Sequence, residues 1–80
     1  MSPTIYREKG FRFFFYSNEG IEPPHVHVVK SGAEAKVWLE PEVSVAENYG
    51  FSQKELKAIL EIVGRNLETF LREYKRWHGR

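Results

Sequence analysis

The stretch Pro23-Pro24-His25-Val26-His27-Val28-Val29-Lys30-Ser31-Gly32-Ala33-Glu34-Ala35-Lys36-Val37-Trp38-Leu39 decides the fold. Lys30-Ser31-Gly32-Ala33 suggests a two-residue turn, which pairs Val28 with Ala35 and Val26 with Val37. Together with Leu39 these residues make one apolar face. The opposite face holds His25 beside Trp38, His27 beside Lys36 and Val29 beside Glu34. A slip of one residue would carry both histidines into the core, so the register governs what they can do. Pro23-Pro24 enforces an extended approach to this strand and blocks earlier pairing.

Upstream, residues 4–7 and 11–16 flank Glu8-Lys9-Gly10, and Gly10 can take the left-handed conformation that closes a three-residue hairpin loop. That loop puts Ile5, Phe13 and Phe15 on the core face, and Thr4, Tyr6, Arg12, Phe14 and Tyr16 on the other. A polar loop, Ser17-Asn18-Glu19-Gly20, leads to the two prolines. Downstream, Val43 and Val45 suggest a short fifth strand after Pro41. Asn48 and Tyr49 read as loop residues that hold the start of the helix.

The C-terminal segment has a different periodicity. Ser52 and Glu55 form a capping box, with Phe51 and Leu56 placed as a hydrophobic staple. Leu56, Leu60, Val63, Leu67, Phe70, Tyr74 and Trp77 then recur at steps of four and three, widened by Ile59, Ile62 and Leu71. The pattern predicts one helix over 53–77. Such a helix spans about 37 Å, so its last turns, with Phe70, Tyr74 and Trp77, should overhang the sheet. Gly64 is expected to permit a close approach to the sheet, at a cost of about 1 kcal/mol relative to Ala.

Composition bounds the rest. Eighty residues make a single domain, residues 1–80, with 41% hydrophobic and 15% aromatic content, enough for a packed core. There is no cysteine, which excludes disulfides, thiolate metal sites and a cysteine nucleophile. No apolar run approaches the ~18 residues of a membrane span, and the first residues lack a signal-peptide pattern. The expectation is a soluble, cytoplasmic protein. The net charge is only +1, but residues 65–80 carry Arg65, Arg72, Lys75, Arg76 and Arg80 against Glu68 and Glu73. A basic tail is compatible with nucleic acid or an acidic partner, and equally with a solvated helix face. All eleven acidic residues are Glu. There is no Gly-rich phosphate loop, no serine elbow and no dinucleotide fingerprint.

The segment Pro23-Pro24-His25-Val26-His27-Val28, taken with Pro3-Thr4-Ile5, the aromatic run Phe11-Arg12-Phe13-Phe14-Phe15-Tyr16, Ala35-Lys36-Val37-Trp38-Leu39-Glu40-Pro41 and Gly50-Phe51-Ser52, resembles the small bacterial family catalogued as domain of unknown function 4160. The resemblance covers nearly the whole chain. It implies a stand-alone cytosolic protein of prokaryotes, whose gene neighbours another small gene in an arrangement similar to toxin–antitoxin pairs. It carries over no catalytic residue.

His25 and His27 project from one face of a strand and could share a ligand. As metal ligands they would need a further donor from Glu34, Glu22 or His78, which makes a metal site the weakest reading. As a general acid and base they could cleave RNA without a metal, with Lys36 or Arg12 stabilising the charge that develops on the phosphate. As part of a binding surface, His25, Phe14, Tyr16 and Trp38 would stack on bases while Arg12 and Lys36 meet phosphates. The plain structural alternative is that both rings end a strand and bond loop carbonyls near residues 20–24.

Together these readings predict an α+β domain. Two antiparallel hairpins form a sheet of four to five strands over about residues 3–46, packed on one long C-terminal helix. The expected function is a small regulatory or interaction protein, one half of a toxin–antitoxin-like pair. Its sheet face, with Arg12, Phe14, Tyr16, Lys36 and Trp38, would bind a protein or nucleic-acid partner. The aromatics left outside the core point to a homodimer or a small protein partner. No cofactor and no membrane are called for. The alternative is a metal-free RNase-like toxin acting through His25 and His27.

Overall fold

The computed structural model describes residues 4–16 and 21–78. The loop expected at 17–20, together with Pro3 and Arg80, lies outside the described residues. The chain is an α+β protein in which five antiparallel strands follow one another in the order β1-β2-β3-β4-β5. They are β1 (Thr4–Glu8), β2 (Phe11–Phe14), β3 (His25–Lys30), β4 (Ala33–Trp38) and β5 (Ser44–Tyr49). Two helices come after them, α1 (Gln53–Arg65) and α2 (Leu67–His78). The two expected hairpins are thus parts of one continuous meander. β5 runs well past the short Val43–Val45 strand expected, taking in Asn48 and Tyr49.

The β3–β4 register is the one the alternation predicts, with His25 opposite Trp38, Val26 opposite Val37, His27 opposite Lys36 and Val28 opposite Ala35. Ser31 (φ 49°) and Gly32 (φ 86°) make the turn, both in the left-handed region that a two-residue primed turn requires. The β1–β2 hairpin uses the same device rather than a three-residue loop. Lys9 and Gly10 have φ of 54° and 84°, and Glu8 pairs directly with Phe11.

Both edge strands carry an irregularity. The β1 register shifts between Thr4 and Tyr6, and that of β5 shifts against Lys36 and Val37, leaving Ile5 and Ala46 as extra residues. The shift at Ile5 corrects the expected facing of β1. Tyr6 sits opposite Phe13 on the core face, its ring 5.8 Å from Phe70, while Arg7 turns outward opposite Arg12.

The core lies between the inner sheet face and the helices. Phe13, Val26, Val28 and Val37 pack with Ile59, Val63 and Phe70, all fully or almost fully buried. Ser52 caps α1 as expected: its Oγ accepts from the Glu55 N–H at 3.1 Å, and Glu55 Oε1 accepts from the Ser52 N–H at 2.9 Å. Asn48 clasps the backbone of Phe51 through both ends of its amide, at 3.0 and 3.1 Å. Gly50 is needed where it stands, since φ is +108° and a Cβ there would meet Ala33 Cβ at 3.0 Å.

The single long helix is corrected to two. At Asn66 (φ −110°, ψ 19°) the backbone leaves helical geometry, and the Ile62 carbonyl accepts both the Asn66 N–H at 3.1 Å and its side-chain amide at 2.8 Å. Beyond it α2 packs on the sheet, with Phe70 against Tyr6 and Phe13 and Tyr74 against Phe15, so the expected overhang does not occur. Phe70 and Tyr74 are buried, and only Trp77, 50% exposed, stands clear. Gly64 makes no close approach either, because it is exposed and a Cβ there would meet nothing within 4 Å. A surface clasp ties the end of α1 to β1: Arg65 donates to Glu8 Oε2 at 2.7 Å and Tyr6 OH to Glu8 Oε1 at 2.7 Å.

Candidate functional site: the outer sheet face

The alternation of β1–β5 that sends apolar residues inward presents three transverse ladders on the other face. The first runs Arg7, Arg12, Val29, Glu34, Tyr49 across all five strands. The second runs Thr4, Phe14, His27, Lys36, Glu47. The third contains His25, Trp38 and Ser44. The helices pack into the core on the opposite side, and α2 reaches this face at its His25 end through Tyr74.

The histidines are brought together as predicted, with ring centroids 5.2 Å apart and nearly perpendicular. His25 is 0% exposed. Its Nδ1 lies 2.8 Å from the Pro23 carbonyl, which can only accept, so Nδ1 carries the proton. Its Nε2 faces the Glu22 carboxylate at 3.8 Å. Trp38 packs edge-on against it at 5.6 Å, and Tyr74 of α2 closes in at 6.3 Å. This is the arrangement expected of a strand-end histidine bonded to a loop carbonyl. His27 is 8% exposed, stacked on Phe14 and edge-on to Tyr16 at 4.4 Å, with Nδ1 3.8 Å from Glu34.

The five residues expected on the binding surface divide. Phe14 and Lys36 are buried, not exposed. Arg12 lies 5.0 Å above the Phe14 ring and donates to Thr4 Oγ1 at 2.8 Å, while Tyr16 meets the ring edge-on at 5.1 Å. The Lys36 ammonium is paired with Glu22 and sits 4.8 Å over Trp38. Tyr16, 39% exposed, donates to Glu34 at 3.1 Å. Trp38 is half-buried. The aromatic groups therefore cover one another more than they offer a flat stacking platform.

Of the further donors weighed for a metal, His78 is turned toward α2 and the end of β2. It lies on the Tyr74 ring, with Nδ1 3.0 Å from the Tyr74 carbonyl and Nε2 3.2 Å from that of Tyr16. Among the described residues, no three of His, Asp and Glu gather in a position to hold an ion.

Sequence reasoning missed Arg7, Glu47 and Tyr49 on this face. Arg7 was hidden by the irregularity at Ile5, which no periodicity announces. Glu47 and Tyr49 were hidden by the underestimated length of β5. With them, the face divides by charge. Arg7 and Arg12 lie directly opposite each other on β1 and β2, while Glu34 and Glu47 lie on β4 and β5, where the cation between them, Lys36, is paired with Glu22. A separate groove of about 580 Å³ opens between β5 and α1, lined by Val45, Gln53, Leu56, Lys57, Leu60 and Glu61. None of the predicted site residues reaches it.

A five-stranded meander backed by two helices, with a charge-divided outer face, defines a small α+β protein whose free surface is a sheet. No helix among the described residues is long and apolar enough to cross a membrane. The family model described as Domain of unknown function (DUF4160) matches residues 10–75, and the chain belongs to that family. Neither the curated proteins nor the solved structures give a match.

Proposed function

We propose that this is a small, non-enzymatic regulatory or interaction protein of the bacterial cytoplasm that holds a macromolecular partner on its outer sheet face, as one member of a toxin–antitoxin-like pair. One observation carries the reading: away from the His25 end, where α2 reaches it, the outer sheet face bears Arg7 and Arg12 side by side, with no carboxylate paired to either among the described residues. Like charges directly opposite on neighbouring strands cost stability in the isolated chain, a cost that an acidic partner group would offset.

The competing reading, an RNase-like toxin, draws on the 5.2 Å approach of His25 and His27. Against it stands the burial of His25, whose Nδ1 is committed to Pro23. A general acid must reach the leaving oxygen directly or through one water.

Co-expression with the product of the adjacent gene tests both. The Arg7→Glu/Arg12→Glu variant should lose the complex by at least about tenfold, while Lys57→Glu, in the groove, should keep it. Retention of the complex by the double arginine variant would overturn the face assignment. RNA breakdown on expression of the wild type alone, abolished by His25→Ala/His27→Ala, would favour the enzyme.

A further inference from the structure

The charge division of the outer face has a symmetry that selects its occupant. Resting on the reading of this face as the binding surface, we infer that a second copy of the chain docks on it, sheet to sheet, about a two-fold axis running along β3.

The strand order places β3 in the middle of five, with β2 and β4 on either side and β1 and β5 at the edges. A two-fold axis along β3, lying between two facing sheets, exchanges β2 with β4 and β1 with β5. Each residue then meets its counterpart on the same transverse ladder. Arg12 stands over the partner's Glu34, Arg7 over the partner's Tyr49, and Thr4 over the partner's Glu47. Val29, half-buried and on the axis, meets the partner's Val29.

Every first-ladder contact in this arrangement is favourable. The Arg12–Glu34 ion pair forms twice, once on each side of the axis. Arg7 gains a cation–π contact with an exposed tyrosine, and an acidic side chain, the partner's Glu47, one ladder away. The like-charge juxtaposition of Arg7 and Arg12 is relieved at the same time. Arg12 is already fixed by Thr4 and the Phe14 ring, so little freedom is lost when it pairs. Packed sheets keep their strands within about 30° of each other, which this axis allows.

An acidic peptide or nucleic acid would satisfy only half of the face. Either would meet the arginines but leave Glu34 and Glu47 facing like charge. A second copy satisfies both halves.

The experiment is a charge swap on the purified full chain, read by sedimentation. The wild type should form a species of twice the 9.4 kDa chain mass. Arg12→Glu and Glu34→Arg should each raise the dimer Kd at least about tenfold, because each places like charges across the axis twice. Mixing the two variants in equal amounts should restore the dimer, since position 12 of each then meets an opposite charge at position 34 of the other. A wild type that remains monomeric at about 1 mM overturns the inference, as do single variants that stay dimeric. So does a mixture of folded variants that fails to recover.

If either reversal prevents folding, Val29→Cys gives a second test, clean because the chain has no other cysteine. A bis-maleimide spanning about 10 Å, the separation of packed sheets, should join two chains at position 29 and not at Lys57→Cys. Absence of cross-linking at position 29 counts against the inference. A monomeric protein that still binds the adjacent gene product through Arg7 and Arg12 removes self-pairing and leaves the binding-face reading standing. Loss of both removes both.

Discussion

The two faces of the sheet are built from alternate residues of the same strands, and both hold buried side chains, yet these become dry by different means. On the inner face Phe13, Val26, Val28 and Val37 are covered by a second layer, the two helices. On the outer face Phe14, His27 and Lys36 are buried among their neighbours' side chains, and His25 is closed in by Tyr74 of α2 and by Pro23 and Glu22 of the preceding loop. There the long side chains lie across one another: Arg12 over Phe14, Lys36 over Trp38, Tyr16 against His27. The inner face earns its burial from the hydrophobic effect, which is large and non-directional. The outer face relies on ion pairs and ring contacts worth roughly 0.5–1 kcal/mol each where water remains near.

That contrast can be broken by substitution. Phe13→Ala removes a ring held between the strands and Phe70, and should cost roughly 3–5 kcal/mol in denaturant unfolding. Phe14→Ala removes an equal volume one position along, but the side chains over it belong to the surface and can settle into the gap, so about 2 kcal/mol is expected. Equal losses at the two positions would sink the distinction. Gly64→Ala tests the helical layer itself. With nothing near the added methyl, it should stabilise the fold by about 0.5–1 kcal/mol, seen as a rise in Tm.

The smallest effect concerns the clasp between layer and sheet edge. The Arg65 guanidinium, with help from the Tyr6 hydroxyl, holds the Glu8 carboxyl below the usual carboxylate range. A depressed folded-state pKa stabilises above the unfolded value, and the gain disappears as the pH falls through the folded one. Melting temperature should therefore drop between about pH 5 and pH 3, and Glu8→Gln should make that slope shallower. An unchanged slope would show that this clasp does not link the layers.

The inner face was more legible in the sequence than the outer. The alternation of Val26, Val28, Ala35 and Val37 around Ser31-Gly32 fixes a register, and the Ser52–Glu55 box fixes where the helix begins, because both are local codes. The family, too, could be read from segments spread along the chain. What escaped depended on contacts that periodicity cannot carry. Ile5 and Ala46 shift the edge registers without any signature, so Tyr6 and Arg7 exchange faces. Asn66 divides the helix within a hydrophobic pattern that continues straight through it, and Phe70 and Tyr74 pack into the core beyond it. The pairing of His25 with His27 was visible, but the sealing of His25 was not. It depends on Pro23, Glu22, Trp38 and Tyr74, residues spread over fifty positions of chain.

The extra residues at Ile5 and Ala46 have one more consequence. Each kinks an outermost strand, and a kinked strand makes a poor template for another chain to hydrogen-bond alongside. Growth of the sheet sideways, copy after copy, would have no natural end and leads toward filaments. With both flanks irregular, that route is discouraged at each end. Association through the broad surface about a two-fold axis stops at two, so the shape of its margins favours a finite assembly over polymerisation.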